Sequence, residues 1–316
     1  MATRQELLNN HNNDYGFDVQ DILFKPIGAE KLPLVSIVIP YYETGEIFNR
    51  CLYFLTQAIS RYPGDNEIIV IDDGSVQKTA LSYTGDFKNI KTIVFKNNRG
   101  RTEARNAGLL AAKGKVIFFL DSDILVDEDL VINHIKLHLE SLRRNLKAIC
   151  VGFFEFTDTK SKKIVKTRLA KQDIDINDFR IDCMYGATWI GCENDKQYIG
   201  QHLQLVNETQ NFRSWKGQYK AWVLPNMVLG GVFSVIKEEI YAVGAFDFRF
   251  KGYGFTETSA VTGMIAERGN VVVPCLVGGA IHVEDDSVNL SQTAKDEIFK
   301  KKHNFYFNTF LKEEVS

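Results

Sequence analysis

The chain has 316 residues, 45% hydrophobic and 25% charged, the balance of a soluble globular protein with a sizeable core. A net charge of -2 supplies no broad field for nucleic acid, which is not an expected partner, so any anion must be recognised locally. Five scattered cysteines (Cys51, Cys150, Cys183, Cys192, Cys275) form no Cys-Xaa-Xaa-Cys pair, which argues for reduced thiols over a zinc or dithiol site. The first 21 residues are polar and lack the apolar core of a signal peptide, and no stretch is long enough to span a bilayer, so the expected location is the cytoplasm.

Val35-Ser-Ile-Val-Ile-Pro40 is a β-branched run of the kind buried on both faces, and it opens the regular part of the chain. Residues 45–61 carry apolar side chains at helical spacing, and Glu67-Ile-Ile-Val-Ile-Asp72 is a second buried strand, so a right-handed parallel crossover is expected. The alternation continues with a strand at 91–95, a helix at 102–112, a strand at 115–120 and a helix at 128–142. Residues 34–145 thus read as a doubly wound nucleotide-binding half, with ligands beyond the carboxyl ends of the strands. A polar extension, residues 1–33, precedes it.

The second half, residues 146–290, is less regular. It opens on a strand-like run at 147–156, a basic stretch at 160–171 and a helix around 175–182. Regularity returns with a strand at 230–236, a helix at 237–243, a Gly-rich loop, a helix from 258 to 268 and a strand at 270–273. No linker separates the halves, so one shared sheet is expected, followed by a tail at 291–316.

Carboxylates follow directly on two of the strands, in Asp72-Asp73-Gly-Ser75 and Asp121-Ser-Asp123. Two Asp one residue apart at a strand end can hold Mg²⁺ or Mn²⁺ through hard oxygen ligands, and such a cation would neutralise a diphosphate. The alternative reading is a helix cap at Asp121 and a solvated turn at Asp123. In Asn97-Asn-Arg-Gly-Arg-Thr-Glu-Ala-Arg-Asn-Ala-Gly108, Arg99, Arg101 and Arg105 crowd a helix start, where cations oppose the dipole unless an anion is bound. Pairing of Arg105 with Asp72 or Asp121 is the alternative. Phe246-Asp-Phe-Arg-Phe-Lys-Gly-Tyr-Gly-Phe-Thr-Glu257 brings a carboxylate to a helix start beside aromatic rings, a combination suited to a sugar and a general base, or merely to packing and a good first helical turn.

At these residues the chain resembles the family 2 glycosyltransferases of the GT-A fold. The likeness rests on four ordered motifs: Ser36-Ile-Val-Ile-Pro-Tyr-Tyr42, Val70-Ile-Asp-Asp-Gly-Ser75, Asn98-Arg-Gly with Ala104-Arg-Asn-Ala-Gly108, and Gly114-Lys-Val-Ile-Phe-Phe-Leu-Asp-Ser-Asp123. A later segment, Gly230-Gly-Val-Phe-Ser and Val243-Gly-Ala-Phe-Asp-Phe-Arg-Phe-Lys-Gly-Tyr-Gly254, is similar to the acceptor side of galactosyltransferase- and chondroitin-polymerase-like members. The resemblance implies an α/β, Rossmann-like, mostly parallel sheet with helices on both faces and an elaborated acceptor-side half. It further implies transfer, with inversion, of a sugar from a nucleotide diphosphate donor, a UDP-sugar foremost. The acceptor would be a glycan, lipid-linked, protein or small-molecule hydroxyl.

By the same resemblance, Pro40, Tyr42 and Glu43 line the base pocket and Asp73 contacts the nucleoside. Asp72, Asn98, Arg101, Arg105, Asp121 and Ser122 belong to the nucleotide-sugar site. Asp121, Asp123 and His282 hold Mn²⁺ or Mg²⁺, and Gly231, Tyr253, Gly254 and Thr256 face the acceptor. Where the family reads Gly-Trp-Gly, one residue, then Glu-Asp, this chain has Thr256-Glu257. Glu257 then stands in the place of the catalytic base, one methylene longer, with Asp285 and Asp286 as rivals.

Two other readings compete. A nucleotidyltransferase would need an early Gly-rich, Lys-ended phosphate loop, which is absent after the first strand. A non-catalytic nucleotide-sugar-binding protein would need a disabled base. The basic stretch at 160–171 and the basic, aromatic run at 299–310 suggest acceptor or peripheral membrane contact at the inner face of a membrane, or else a solvated loop and a packed terminal helix.

Overall fold

A computed structural model of the chain describes residues 1–28, 31–85, 87, 89–152, 154–158, 218–219, 222–228, 230–252, 254–275, 279–284 and 292–315. The basic stretch, the helix expected around 175–182, Cys183, Cys192, Tyr253, Asp285 and Asp286 lie outside the described residues.

In chain order the strands are β1 (Ala2–Thr3), β2 (Val35–Tyr41), β3 (Asn66–Asp72), β4 (Ile90–Val94), β5 (Val116–Leu120), β6 (Ile124–Val126), β7 (Ala148–Val151), β8 (Phe154–Asp158), β9 (Gln218–Tyr219), β10 (Trp222–Val223), β11 (Val232–Ile236), β12 (Val271–Pro274), β13 (Ala280–Glu284) and β14 (Glu314–Val315). The helices are α1 (Arg4–Asn10), α2 (Val19–Leu23), α3 (Glu46–Ser60), α4 (Leu81–Thr84), α5 (Arg101–Ala111), α6 (Leu130–Arg143), α7 (Lys237–Ala242), α8 (Thr256–Arg268) and α9 (Gln292–Asn308).

One seven-stranded sheet, in the order β12-β7-β11-β5-β2-β3-β4, runs through both halves. Strands β2, β3, β4 and β5 pair in parallel, while β11 is antiparallel to both of its neighbours. The shared sheet expected from the sequence is therefore present. Buried apolar runs such as Val116–Leu120 explain the central strands, because helices cover the sheet and leave no wet face. Helix α5 lies hard against β2, and a Cβ at Gly108 would meet Val38 Cγ1 at 2.2 Å. A glycine inside that helix is thus required by close packing despite its poor propensity.

From β2 the chain winds outward through β3 and β4, and β5 then returns to the opposite side of β2. This reversal falls between β2 and β5, and in doubly wound sheets ligands bind beyond the carboxyl ends of the strands at such a point. Just after those two strands, Thr44 Oγ1 and Ser122 Oγ meet at 2.7 Å.

Three features differ from the sequence expectation. The run at 147–156 is two strands: β7 joins the main sheet, and β8 joins a three-stranded sheet ordered β6-β13-β8. The leader is packed, with Tyr15 and Val19 fully buried and Asn13 exchanging two hydrogen bonds with the backbone of Val272. The two ends of the chain also meet, as β1 pairs with β14 through Ala2↔Val315 and Thr3↔Glu314.

In α9 the aromatic run packs on the core: Tyr306 and, just beyond the helix, Phe310 are buried against Phe250. Among the described residues no helix is long and apolar enough to cross a membrane.

Candidate active site

The loops after β2, β3 and β5 build the site. Asp72 ends β3 fully buried, and its carboxylate accepts the N–H groups of Ser75 (2.8 Å) and Ala80 (2.7 Å). Its side chain shapes the loop from within. Asp73 is 4% exposed and accepts the N–H groups of Arg99 (2.7 Å) and Gly100 (2.8 Å), tying the β3 loop to the entry of α5. Burial raises the Asp73 pKa, and those two N–H groups oppose the rise. Gly74 has φ +78°, and a Cβ there would meet the Asn97 carbonyl carbon at 2.5 Å, so the two loops touch backbone to backbone.

Glu43 accepts the N–H groups of Val76 (2.5 Å), Gln77 (3.0 Å) and Lys78 (2.7 Å). Burial works against its charge, yet those three donors hold its pKa below the ordinary value. Pro40 is half-buried, Tyr42 is 44% exposed and Asn98 is exposed.

Arg105 occupies the centre. It is completely buried, with Nη2 donating to Asp121 Oδ1 (2.9 Å) and to the Gly230 carbonyl (2.5 Å). Nη1 donates to Glu257 Oε2 at 3.2 Å, and Nε is buried without a partner. Of the three arginines expected to gather round an anion, Arg105 and Arg101 both reach the metal motif, Arg101 at 3.7 Å from Asp121 Oδ2. Arg99 turns to Glu103 and Phe95. Burial raises the Asp121 pKa, but Arg101 and Arg105 outweigh it and hold the carboxyl below its usual range.

Asp123 Oδ2 lies 3.3 Å from His282 Nε2, because β13 pairs with β6 directly after the Asp-Ser-Asp turn and sets His282 opposite Ile124. Asp123 Oδ1 is buried and has no hydrogen-bond partner. An orphaned carboxylate oxygen beside an imidazole fits a hard or borderline divalent cation, so Asp123 and His282 suit the expected metal. Asp121 is held by Arg105, and among the described residues no set of three His, Cys, Asp or Glu converges as a preformed cage. Mg²⁺ and Mn²⁺ sites commonly complete their shells with substrate phosphates and water.

The residues expected to face an acceptor divide. Glu257, in the first turn of α8, is half-buried and reaches Arg105. Thr256 is 1% exposed, with its hydroxyl bonded to the Phe250 carbonyl at 3.0 Å, because Phe255 before it adopts the left-handed conformation and turns α8 inward. Gly231 is buried, and its carbonyl takes the Asp121 N–H at 3.0 Å. Neither offers an exposed polar side chain. Gly254 has φ +77° and lies under Phe299.

Thr44 carries no signal in the sequence, while Gly230 and Lys302 stand there only inside longer runs, the acceptor-like segment from 230 and the basic, aromatic run at 299–310. A Cβ at Gly230 would lie 2.6 Å from Glu257 Oε2 and 2.9 Å from Arg105 Nη1.

The family profile described as "Glycosyl transferase family 2" matches residues 36–208, more than half of the chain. The chain belongs to this family. Its sheet is that of a GT-A glycosyltransferase: the mannosyltransferase PcManGT of Pyrobaculum calidifontis, solved in complex with GDP-Man and Mn²⁺, superposes with a TM-score of 0.54 at 17% identity over 94% of this chain and 71% of that one. Glycosyltransferase AglE of Haloferax volcanii is 24% identical over 248 residues, 65% of this chain and 79% of AglE. Dolichyl-phosphate beta-glucosyltransferase ALG5D of Trichomonas vaginalis is 30% identical over 156 residues, 45% of this chain and 46% of the relative. The family match ends before Gly230, so Glu257 and its loop lie outside it.

Proposed function

We propose that this family 2 protein is an inverting glycosyltransferase that uses a divalent metal to bind a nucleotide diphosphate sugar and Glu257 as base for an acceptor hydroxyl. One observation carries the reading: Arg105 holds Asp121 and Glu257 on a single guanidinium, at 2.9 and 3.2 Å, so the metal motif and the proposed base share one point beyond β5.

In this reading Tyr42, Pro40 and Asn98 contact the nucleotide, and Glu43, Asp72 and Asp73 set the loops of its site by fixing backbone N–H groups. Asp123 and His282 would hold the cation, with Asp121 reaching it directly or through water, and Mn²⁺ or Mg²⁺ bound there would neutralise the leaving diphosphate. Arg101, half-exposed beside Asp121, adds a donor for phosphate. Glu257 takes the proton of the acceptor hydroxyl as its oxygen bonds to the sugar's anomeric carbon, and the bond from that carbon to the phosphate oxygen breaks. A single displacement of this kind inverts the configuration.

A panel of UDP- and GDP-sugars with Mn²⁺ or Mg²⁺, read by release of nucleotide diphosphate, tests the reading. One donor should be turned over, and Asp123→Ala should abolish both turnover and metal-dependent nucleotide binding. Nucleotide binding that is equal in chelator and in Mn²⁺ would remove the metal from the account.

A further inference from the structure

Lys302 lies in the basic, aromatic run at 299–310, yet it is only 9% exposed. Its Nζ donates to the carbonyls of Phe250 (3.0 Å) and Gly254 (3.1 Å), the two ends of the Gly-rich loop that leads into α8. Neighbouring side chains on the same face of α9 grip the same loop. A Cβ at Gly254 would meet Phe299 at 3.2 Å, and the Phe299 and Tyr306 rings each lie 5.2 Å from that of Phe255. Positions 299, 302 and 306 follow helical spacing, so these contacts form one stripe.

The grip falls where the backbone is strained. Phe255 has φ +61°, a conformation that costs a non-glycine residue about 1–2 kcal/mol unless its surroundings impose it. Glu257 follows two residues later, so the direction in which α8 presents its carboxylate depends on this turn.

A buried ammonium is an expensive way to satisfy two carbonyls, and the Phe250 carbonyl already accepts from Thr256. Burial lowers the Lys302 pKa to about 8, with Glu257 on α8 favouring the charged form and Arg101 on α5 opposing it. His303, next along α9, packs on Phe255 and Phe299.

We propose that Lys302 is a positioning residue for sugar transfer, clamping the 250–254 loop onto α9 and so fixing where α8 presents Glu257. This rests on the reading of Glu257 as the base.

The test compares wild type, Lys302→Met, Lys302→Arg and, as a control on the exposed side of α9, Lys300→Met. Hydrogen-exchange protection across residues 250–260 is measured with transfer turnover and with binding of UDP or GDP in Mn²⁺. Lys302→Met should lower protection roughly tenfold and turnover by at least as much, with nucleotide binding unchanged. Lys302→Arg should recover most of both, and Lys300→Met should match wild type. A folded Lys302→Met protein with normal turnover overturns the proposal, whether or not its loop is looser.

If Lys302→Met does not fold, Lys302→Gln, which shortens the side chain and removes its charge, is compared with wild type by the same readouts, and wild-type turnover in a folded Lys302→Gln protein overturns the clamp. Failure of the wild type to transfer any sugar counts against glycosyl transfer itself, and the exchange data still decide the clamp.

Discussion

Arg105 Nη1 lies 3.2 Å from Glu257 Oε2 across 152 residues of sequence, and the same guanidinium holds Asp121 through its other terminal nitrogen. The arginine is wholly buried, so the two carboxylates meet its charge where water does not compete. The geometry makes Arg105 the internal counter-ion of the site, the pairing with Asp121 that the sequence left as the alternative to nucleotide contact.

Replacing Arg105 by Met leaves both carboxylates facing a buried apolar side chain. Removing one partner of a buried ion pair costs about 3–5 kcal/mol, and urea denaturation should show a loss of that order. Adding Asp121→Asn and Glu257→Gln should restore part of it. A loss below about 1 kcal/mol would mean that the guanidinium does not hold the pair.

Gly230→Ala adds one methyl group at the point of contact with Glu257 and Arg105. With its Cβ 2.6 Å from Glu257 Oε2, the carboxylate must move, and a displacement of about 1 Å in a catalytic group can cost on the order of 10²-fold in rate. Turnover should fall on that scale while nucleotide binding persists. Unchanged turnover would place the base elsewhere.

Stability should fall with acid because of two buried histidines. His134 Nδ1 and His138 Nε2 both meet Ser234 Oγ at 2.8 Å beneath the sheet. Burial holds both rings neutral, His138 with a pKa near 3 and His134 well below its ordinary value. The unfolded chain protonates them near pH 6.5, so below that pH it binds more protons than the folded chain and stability declines toward pH 3. Each histidine should contribute about 1.4 kcal/mol of loss per pH unit in this window. Urea midpoints at pH 7.5 and pH 5, for wild type and His138→Phe, measure the slope, which should be shallower in the variant. Equal slopes would contradict the assignment.

What could be read from sequence follows physical locality. Strands β2, β3 and β5 announce themselves as β-branched and apolar runs, and the Asp-Ser-Asp turn sits directly at a strand end. Strand β6 is three residues long and is defined by pairing with β13, about 155 positions later, so no local period marks it. The break between β7 and β8 falls at Gly152, where a Cβ would meet Val232 at 2.5 Å, a constraint visible only once β11 is in place. Tyr15, Phe17 and Val19 look like stray apolar residues in a polar leader, yet all three are buried, with α2 packed on α6 and Asn13 bonded to the backbone of β12. Arg105 reads as a helix-start cation because Glu257 approaches it only through tertiary folding. Lys302 resembles its exposed neighbours Lys300 and Lys301 in every local respect.

The central claim, that Glu257 abstracts the acceptor proton beside a metal-held donor, is tested most directly by steady-state transfer by Glu257→Gln at saturating donor. The amide keeps the size of the side chain and removes the proton acceptor, so turnover should fall on the order of 10²–10⁴-fold while affinity for the nucleotide diphosphate in Mn²⁺ stays within about twofold of wild type. Near-normal transfer by Glu257→Gln, with collapse instead in Asp285→Asn or Asp286→Asn, would contradict the account and move the base to the segment after His282.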